Sequence, residues 1–171
     1  MNPMLHALLM AEQQLPELLR SPERWQTLDI TYEKPRVERV WTQWGEYRLN
    51  LHRIHPCDAG QAFFHPHPWP SAMRILSGCY EMAIGYGSGL ETPPEAARLI
   101  LTSESCYEMN NPDAWHYVRP LAGPVISFMV TGAPWNRNMP KSDKISLSSL
   151  TTETKEEIME FFLKRYQIDY D

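Results

Sequence analysis

His65-Pro-His67, set between Gly60 and Gly78, limits what this chain can fold into more than any other stretch. On an extended segment successive side chains alternate faces, so the two histidines point the same way. Two imidazoles on one side of a strand are placed where one metal ion could meet both. Met73 to Leu76 favour a strand, Ser77-Gly78 reads as a turn, and the chain returns through Tyr80 to Tyr86. A third histidine, His116, begins another strand-like run after Pro112-Asp-Ala-Trp. A His-x-His on one strand and a distant His on another is an economical ligand set for a metal inside a β-barrel.

The length of 171 residues suits one domain with a real core and is short for two. Apolar residues at 43% and charged residues at 22% place the chain in the globular range. Fifteen prolines favour turns and short strands over long helices. A net charge of −5, with scattered Lys and Arg, provides no general attraction to nucleic acid. Cys57, Cys79 and Cys106 are odd in number and lack CxxC spacing, so neither a disulfide framework nor a zinc knuckle is indicated. With no basic leader and no spanning apolar run, the expectation is a cytoplasmic protein without a membrane partner.

The chain divides into three stretches: a helical segment over 1–30, a β domain over 31–135, and a linker with a helix over 136–171. Leucines at 5, 8, 9, 15, 18 and 19 predict an amphipathic helix over 4–20, interrupted or restarted near Pro16. Its polar face is not basic, which favours packing on the β domain over a membrane surface. Ser21-Pro22-Glu23 resembles a helix start. From Arg36 onward the character is β, with Tyr47, Leu49 and Leu51 on one face and Arg48, Asn50 and His52 on the other. Runs over 97–101, 105–109 and 125–131 bring the total to about eight short strands, an antiparallel barrel or sandwich. Thr154-Lys-Glu-Glu157 fits a capping box opening the last helix. The apolar stripe Ile158, Phe161 and Phe162 docks on the barrel or, alternatively, forms a homodimer contact.

The order G-x-x-x-x-H-x-H, a later glycine, then P-x-x-x-H resembles the two signature motifs of the cupin superfamily over about Tyr47 to Trp135. That resemblance implies a mainly β, single-domain jelly-roll barrel carrying N-terminal and C-terminal helices. Residue by residue it also implies a divalent metal on His65, His67 and His116. The family's carboxylate ligand does not carry over, because its position falls near Ser71. Within the superfamily, the chain is similar to the three-histidine thiol dioxygenases around Leu49-Asn-Leu51, Met73 to Glu81 and Val125 to Trp135. The cysteine that some of those enzymes cross-link falls near Ala72, so no cross-link is expected. Their substrate-carboxylate arginine has three candidates here by order alone: Arg36, Arg39 and Arg48.

Three neutral imidazoles suit Fe(II), Ni(II), Cu(II), Zn(II) or Mn(II), and the resemblance selects Fe(II). Three protein ligands leave coordination positions open to a small-molecule substrate or dioxygen. Without a carboxylate, an anionic substrate such as a thiolate or carboxylate supplies the missing charge. The leading expectation is therefore an iron dioxygenase, with two alternatives: a non-catalytic binding cupin, or another metal-dependent enzyme such as an isomerase. Trp69, Ser71, Met73, Trp115, Tyr117 and Phe128 are the pocket candidates, Ser71 also as a hydrogen-bond partner of a ligating histidine. Glu81 is a remote fourth-ligand candidate, and Tyr80, Tyr107 and Tyr117 are candidate donors to bound oxygen. Arg74 is expected to point outward into an ion pair or subunit contact. Cys79 and Cys106 read as buried small hydrophobes.

Overall fold

Leu49, Leu51, Phe128 and Val130 project from their strands toward one hydrophobic core, while Ile54, Met73, Ile75 and Met129 project toward another. Period-two alternation with both faces buried is what makes this chain layered. The computed structural model describes residues 3–136 and 147–166. Most of the linker expected over 136–150 lies outside the described residues.

Helix α1 (Pro3–Leu19) precedes ten strands: β1 (Gln26–Ile30), β2 (Val37–Trp44), β3 (Tyr47–Ile54), β4 (His65–Pro66), β5 (Ser71–Ser77), β6 (Cys79–Tyr86), β7 (Glu95–Thr102), β8 (Cys106–Met109), β9 (Ala114–Pro120) and β10 (Val125–Thr131). Helix α2 (Thr152–Arg165) follows. All the strand pairs are antiparallel, in a six-stranded sheet ordered β1-β2-β3-β10-β5-β8 and a four-stranded sheet ordered β4-β9-β6-β7. The architecture is a jelly-roll sandwich, mainly β with a helix at each end. The two sheets do not close into the barrel that was expected.

The first core lies between the six-stranded sheet and the two helices, and the second lies between the sheets. Helix α1 runs through Pro16 without a break. An interior proline costs about 3 kcal/mol, yet Leu15 and Leu19 are both fully buried, and burying each such side chain returns about 1.5–3 kcal/mol. The packed face therefore wins. Ser21 makes no side-chain cap, and Pro22–Arg24 forms only a 3₁₀ turn. β-structure begins at Gln26, ahead of Arg36, because β1 pairs along β2.

Helix α2 starts before the expected capping box. Its cap is Thr151, whose side chain accepts a hydrogen bond from the Thr154 backbone N–H at 3.1 Å. Ile158, Met159, Phe162 and Leu163 form its buried face, with Phe161 packed alongside. Arg74 does point out of the sandwich, onto α1, where its Nε donates to Glu12 at 3.0 Å. Tyr166 donates to the other Glu12 oxygen at 2.7 Å, so one carboxylate ties both helices to β5. The turn after β5 needs Gly78, whose φ is +85°.

Candidate functional site

Prolines set the geometry of the histidine segment. A strand with Pro66 inside and Pro68 and Pro70 close behind lacks the donors of a central strand and is confined to a sheet edge. β4 is accordingly a two-residue edge strand whose only neighbour among the described residues is β9. Its register puts His65 opposite His116 and Pro66 opposite Trp115. The His67 backbone N–H then donates to the Ala114 carbonyl at 3.2 Å, which keeps the chain alongside β9 past the strand.

The three predicted imidazoles are thereby gathered. Ring centroids lie 4.9 Å apart for His65 and His116, and 4.9 Å apart for His67 and His116. His65 Nδ1 is 2.8 Å from the Phe63 carbonyl, and His67 Nδ1 is 2.8 Å from the Trp69 carbonyl. A carbonyl only accepts, so both rings carry their proton on Nδ1 and present Nε2 as a bare lone pair. Ser71 Oγ stands 3.2 Å from the same His67 nitrogen. His116 Nδ1 is buried without a hydrogen-bond partner.

These residues fit a shared divalent ion by donor type, and the two ring separations about His116 are of the size that such an ion would require. An imidazole binding a metal at about 2.1 Å places its centroid roughly 3.2 Å from the ion, so two such rings near a right angle are about 4.5–5 Å apart. The nitrogens are not yet converged: among the described residues, no three His, Cys, Asp or Glu side chains are spaced to hold an ion as they stand. Centroid separation follows the backbone and χ1, whereas the direction of the nitrogens turns also on χ2.

Burial sets the charge state. It lowers the pKa of His65 below the ordinary histidine value, that of His67 to about 4, and that of His116 well below normal, with the neighbouring rings adding to the effect on His67 and His116. All three are neutral near pH 7, the form in which imidazole binds metal.

The rings open onto a cavity of about 430 Å³ between the sheets. Leu28, Ile30, Ile54, Val118 and Met129 supply apolar wall, and Tyr32 to Pro35 frame the mouth. Arg39, Arg48 and His52 also line it. Arg39 Nε donates to His52 Nε2 at 2.9 Å. Burial, reinforced by Arg48, pushes the Arg39 pKa down to about 10. Among the described residues, neither Arg39 nor Arg48 has an acidic partner within ion-pair distance; Arg48 lies 4.3 Å over the Trp41 ring. Arg36 is engaged elsewhere, paired with Asp29 and Glu38.

Of the predicted pocket residues, Trp69 and Met73 line the cavity, and Ser71 sits behind His67. Trp115, Tyr117 and Phe128 are not among the lining residues. Trp115 and Tyr117 alternate with His116 and turn to the other face of β9, where they pack on Phe64. Phe128 belongs to the core under the helices. Glu81 is occupied on that outer face by Tyr117 and Arg119 and cannot serve as a fourth ligand. The Tyr80 and Tyr107 hydroxyls lie 2.7 Å apart and each lies 3.3 Å from Met73 Sδ, so one hydroxyl donates to the other and the second donates to the sulfur. Cys106 is exposed, contrary to expectation, and Cys79 is half-buried. His52, which no sequence motif marks, is the site residue that the sequence reading passed over.

Two facing antiparallel sheets in jelly-roll order, helix-covered on one side, define the cupin fold. No family model matches the sequence, and no curated protein is recognisably similar to it. Among solved structures, Fe(II)-HppE with the alternative substrate (S)-1-HPP aligns at a TM-score of 0.51 and 14% identity, covering 64% of this chain and 57% of that one. Hydroxypropylphosphonic acid epoxidase from S. wedmorenis aligns at 0.49 and 14%, covering 64% and 56%. A Bacillus halodurans protein aligns at 0.46 and 13%, covering 71% and 83%. The chain thus matches little more than half the length of the first two, and the likeness is one of fold.

Proposed function

We propose that the chain is a metal-binding cupin in which His65, His67 and His116 hold one divalent ion, Fe(II) by preference, and that it is a dioxygenase acting on a small thiol or carboxylate-bearing substrate. The observation that carries this reading is the pair of 4.9 Å centroid separations about His116, with Nδ1 of His65 and His67 engaged by carbonyls and all three rings lining the cavity. Fe(II) is also the ion in the similar HppE structure. When bound, the ion would act as an electrophilic centre with open positions for substrate and dioxygen. The protein residues do the rest. The Phe63 and Trp69 carbonyls fix the ring tautomers, Ser71 steadies His67, and the apolar walls exclude water.

A second reading is favoured by the unconverged ring nitrogens: a non-catalytic cupin that takes a small ligand in the same cavity. Elemental analysis of tag-free protein, followed by oxygen uptake with a panel of small thiols and carboxylic acids, separates the two. Iron at one per chain with substrate-dependent uptake supports the dioxygenase. Iron without uptake on any member removes the substrate class, and no bound metal removes the metal centre.

A further inference from the structure

A partly buried guanidinium is ordinarily met by a carboxylate, because leaving the charge unpaired away from bulk water is costly. Arg39 is met by a histidine. Its Nε donates to His52 Nε2 at 2.9 Å, which requires that nitrogen to be unprotonated and the ring to be neutral. His52 is itself 3% exposed, and its Nδ1 has no partner. Both residues line the cavity together with the three imidazoles. His52 therefore orients the guanidinium without cancelling its charge. Arg48, beside it, adds positive potential and is satisfied by Trp41 rather than by an acid. Apart from Glu33 and Lys34, the remaining wall is mostly aliphatic and aromatic carbon.

We propose that His52 is a specificity-determining positioning residue: by holding Arg39 through a neutral ring nitrogen, it leaves the charge of Arg39 uncompensated for the anionic head of an otherwise apolar ligand. The inference deepens the reading of the same cavity given above and rests on it only in taking that cavity as the substrate site. A carboxylate at position 52 would fill the role of the ligand's own head group. The ligand class is an anion with an apolar body.

The test needs no metal, so its outcome is separable from that of the iron experiment. Binding of hexanoate, hexanol and hexylamine to the metal-free full-length chain is followed by calorimetry, in wild type, His52→Gln and His52→Glu, with thermal unfolding as the control for folding. Hexanoate is expected to bind wild type at least about tenfold more tightly than either hexanol or hexylamine. His52→Gln keeps a neutral acceptor and loses no more than about threefold, whereas His52→Glu pairs with Arg39 and loses about tenfold or more. Hexanoate binding no tighter than hexanol overturns the proposal in wild type alone, whether or not a variant folds. Equal losses in the Gln and Glu variants overturn it too, since a purely structural role for His52 does not distinguish charge. Iron binding with no hexanoate preference refutes this inference and leaves the metal centre standing; the reverse result does the opposite.

Discussion

His65 and His116 are direct partners across the β4–β9 ladder, and their ring centroids lie 4.9 Å apart. Residues opposed in a ladder share a face, so this register alone turns two histidines about fifty positions apart in sequence toward one point. His67 joins them from the same face of its segment, with its Nδ1 held between the Trp69 carbonyl and Ser71 Oγ.

Ser71→Ala leaves the carbonyl contact to His67 intact and removes only the hydroxyl. Loss of an outer partner of a ligating histidine costs about 10–100-fold in metal affinity, and the surviving carbonyl contact puts this variant at the lower end. Competitive chelator titration of Ser71→Ala against wild type checks it; unchanged affinity would assign Ser71 to strand packing only.

His52 makes stability fall in acid. Burial, Arg39 and His67 hold its pKa well below the ordinary value when folded, so as pH drops below about 6.5 the unfolded chain takes up the proton first. Its contribution is complete above about pH 6.5 and declines below, by about 1.4 kcal/mol per pH unit for each such ring. His65, His67 and His116 act in the same direction. Urea unfolding of metal-free protein between pH of about 6.5 and 5 is expected to show a smaller slope in His52→Gln, by close to one proton.

Gly85 has no room for a side chain. A Cβ there would stand 2.6 Å from the Pro94 carbonyl and 2.9 Å from the Phe64 ring. Backbone cannot give way cheaply, so Gly85→Ala is expected to destabilise by about 1–3 kcal/mol, read as a lower denaturation midpoint at unchanged m-value. The same change at Gly45, where nothing lies within 4 Å but φ is +57°, strains only the backbone and costs about 1 kcal/mol.

Leu15 anchors α1 on the sheet with no exposed surface. Leu15→Ala is expected to cost about 2–5 kcal/mol, while Thr151→Ala, which removes the α2 cap, costs about 1 kcal/mol. Chemical denaturation ranks the two. Equal costs would mean that α1 adds little to the core.

The metal-site candidates were legible because each motif is local: the x in His-x-His fixes a shared face, and the prolines fix an extended edge. Met73 followed from the same alternation, and Trp69 from its place beside the motif. That logic, applied to β9 and β10, would also have turned Trp115, Tyr117 and Phe128 away from the cavity, since each sits one residue from an inward side chain. Arg39 and His52 were harder to find. Alternation placed His52 opposite Leu49 and Leu51, but both faces of β3 are buried, the apolar one under α1 and α2 and the polar one toward the cavity. Which face holds the site depends on where the helices dock, a long-range fact that no short window of sequence contains. Convergence of the ring nitrogens depends on side-chain torsions, which spacing does not specify.

The central claim is that three imidazoles serve one ion. Titrating Fe(II) anaerobically into tag-free wild type and the single variants His65→Ala, His67→Ala and His116→Ala, with bound metal counted by elemental analysis, tests it most directly. The account predicts one iron per chain in wild type and a loss of at least about tenfold in affinity in each folded variant. Wild-type protein that binds no iron, or iron binding that is indifferent to His116→Ala, contradicts it.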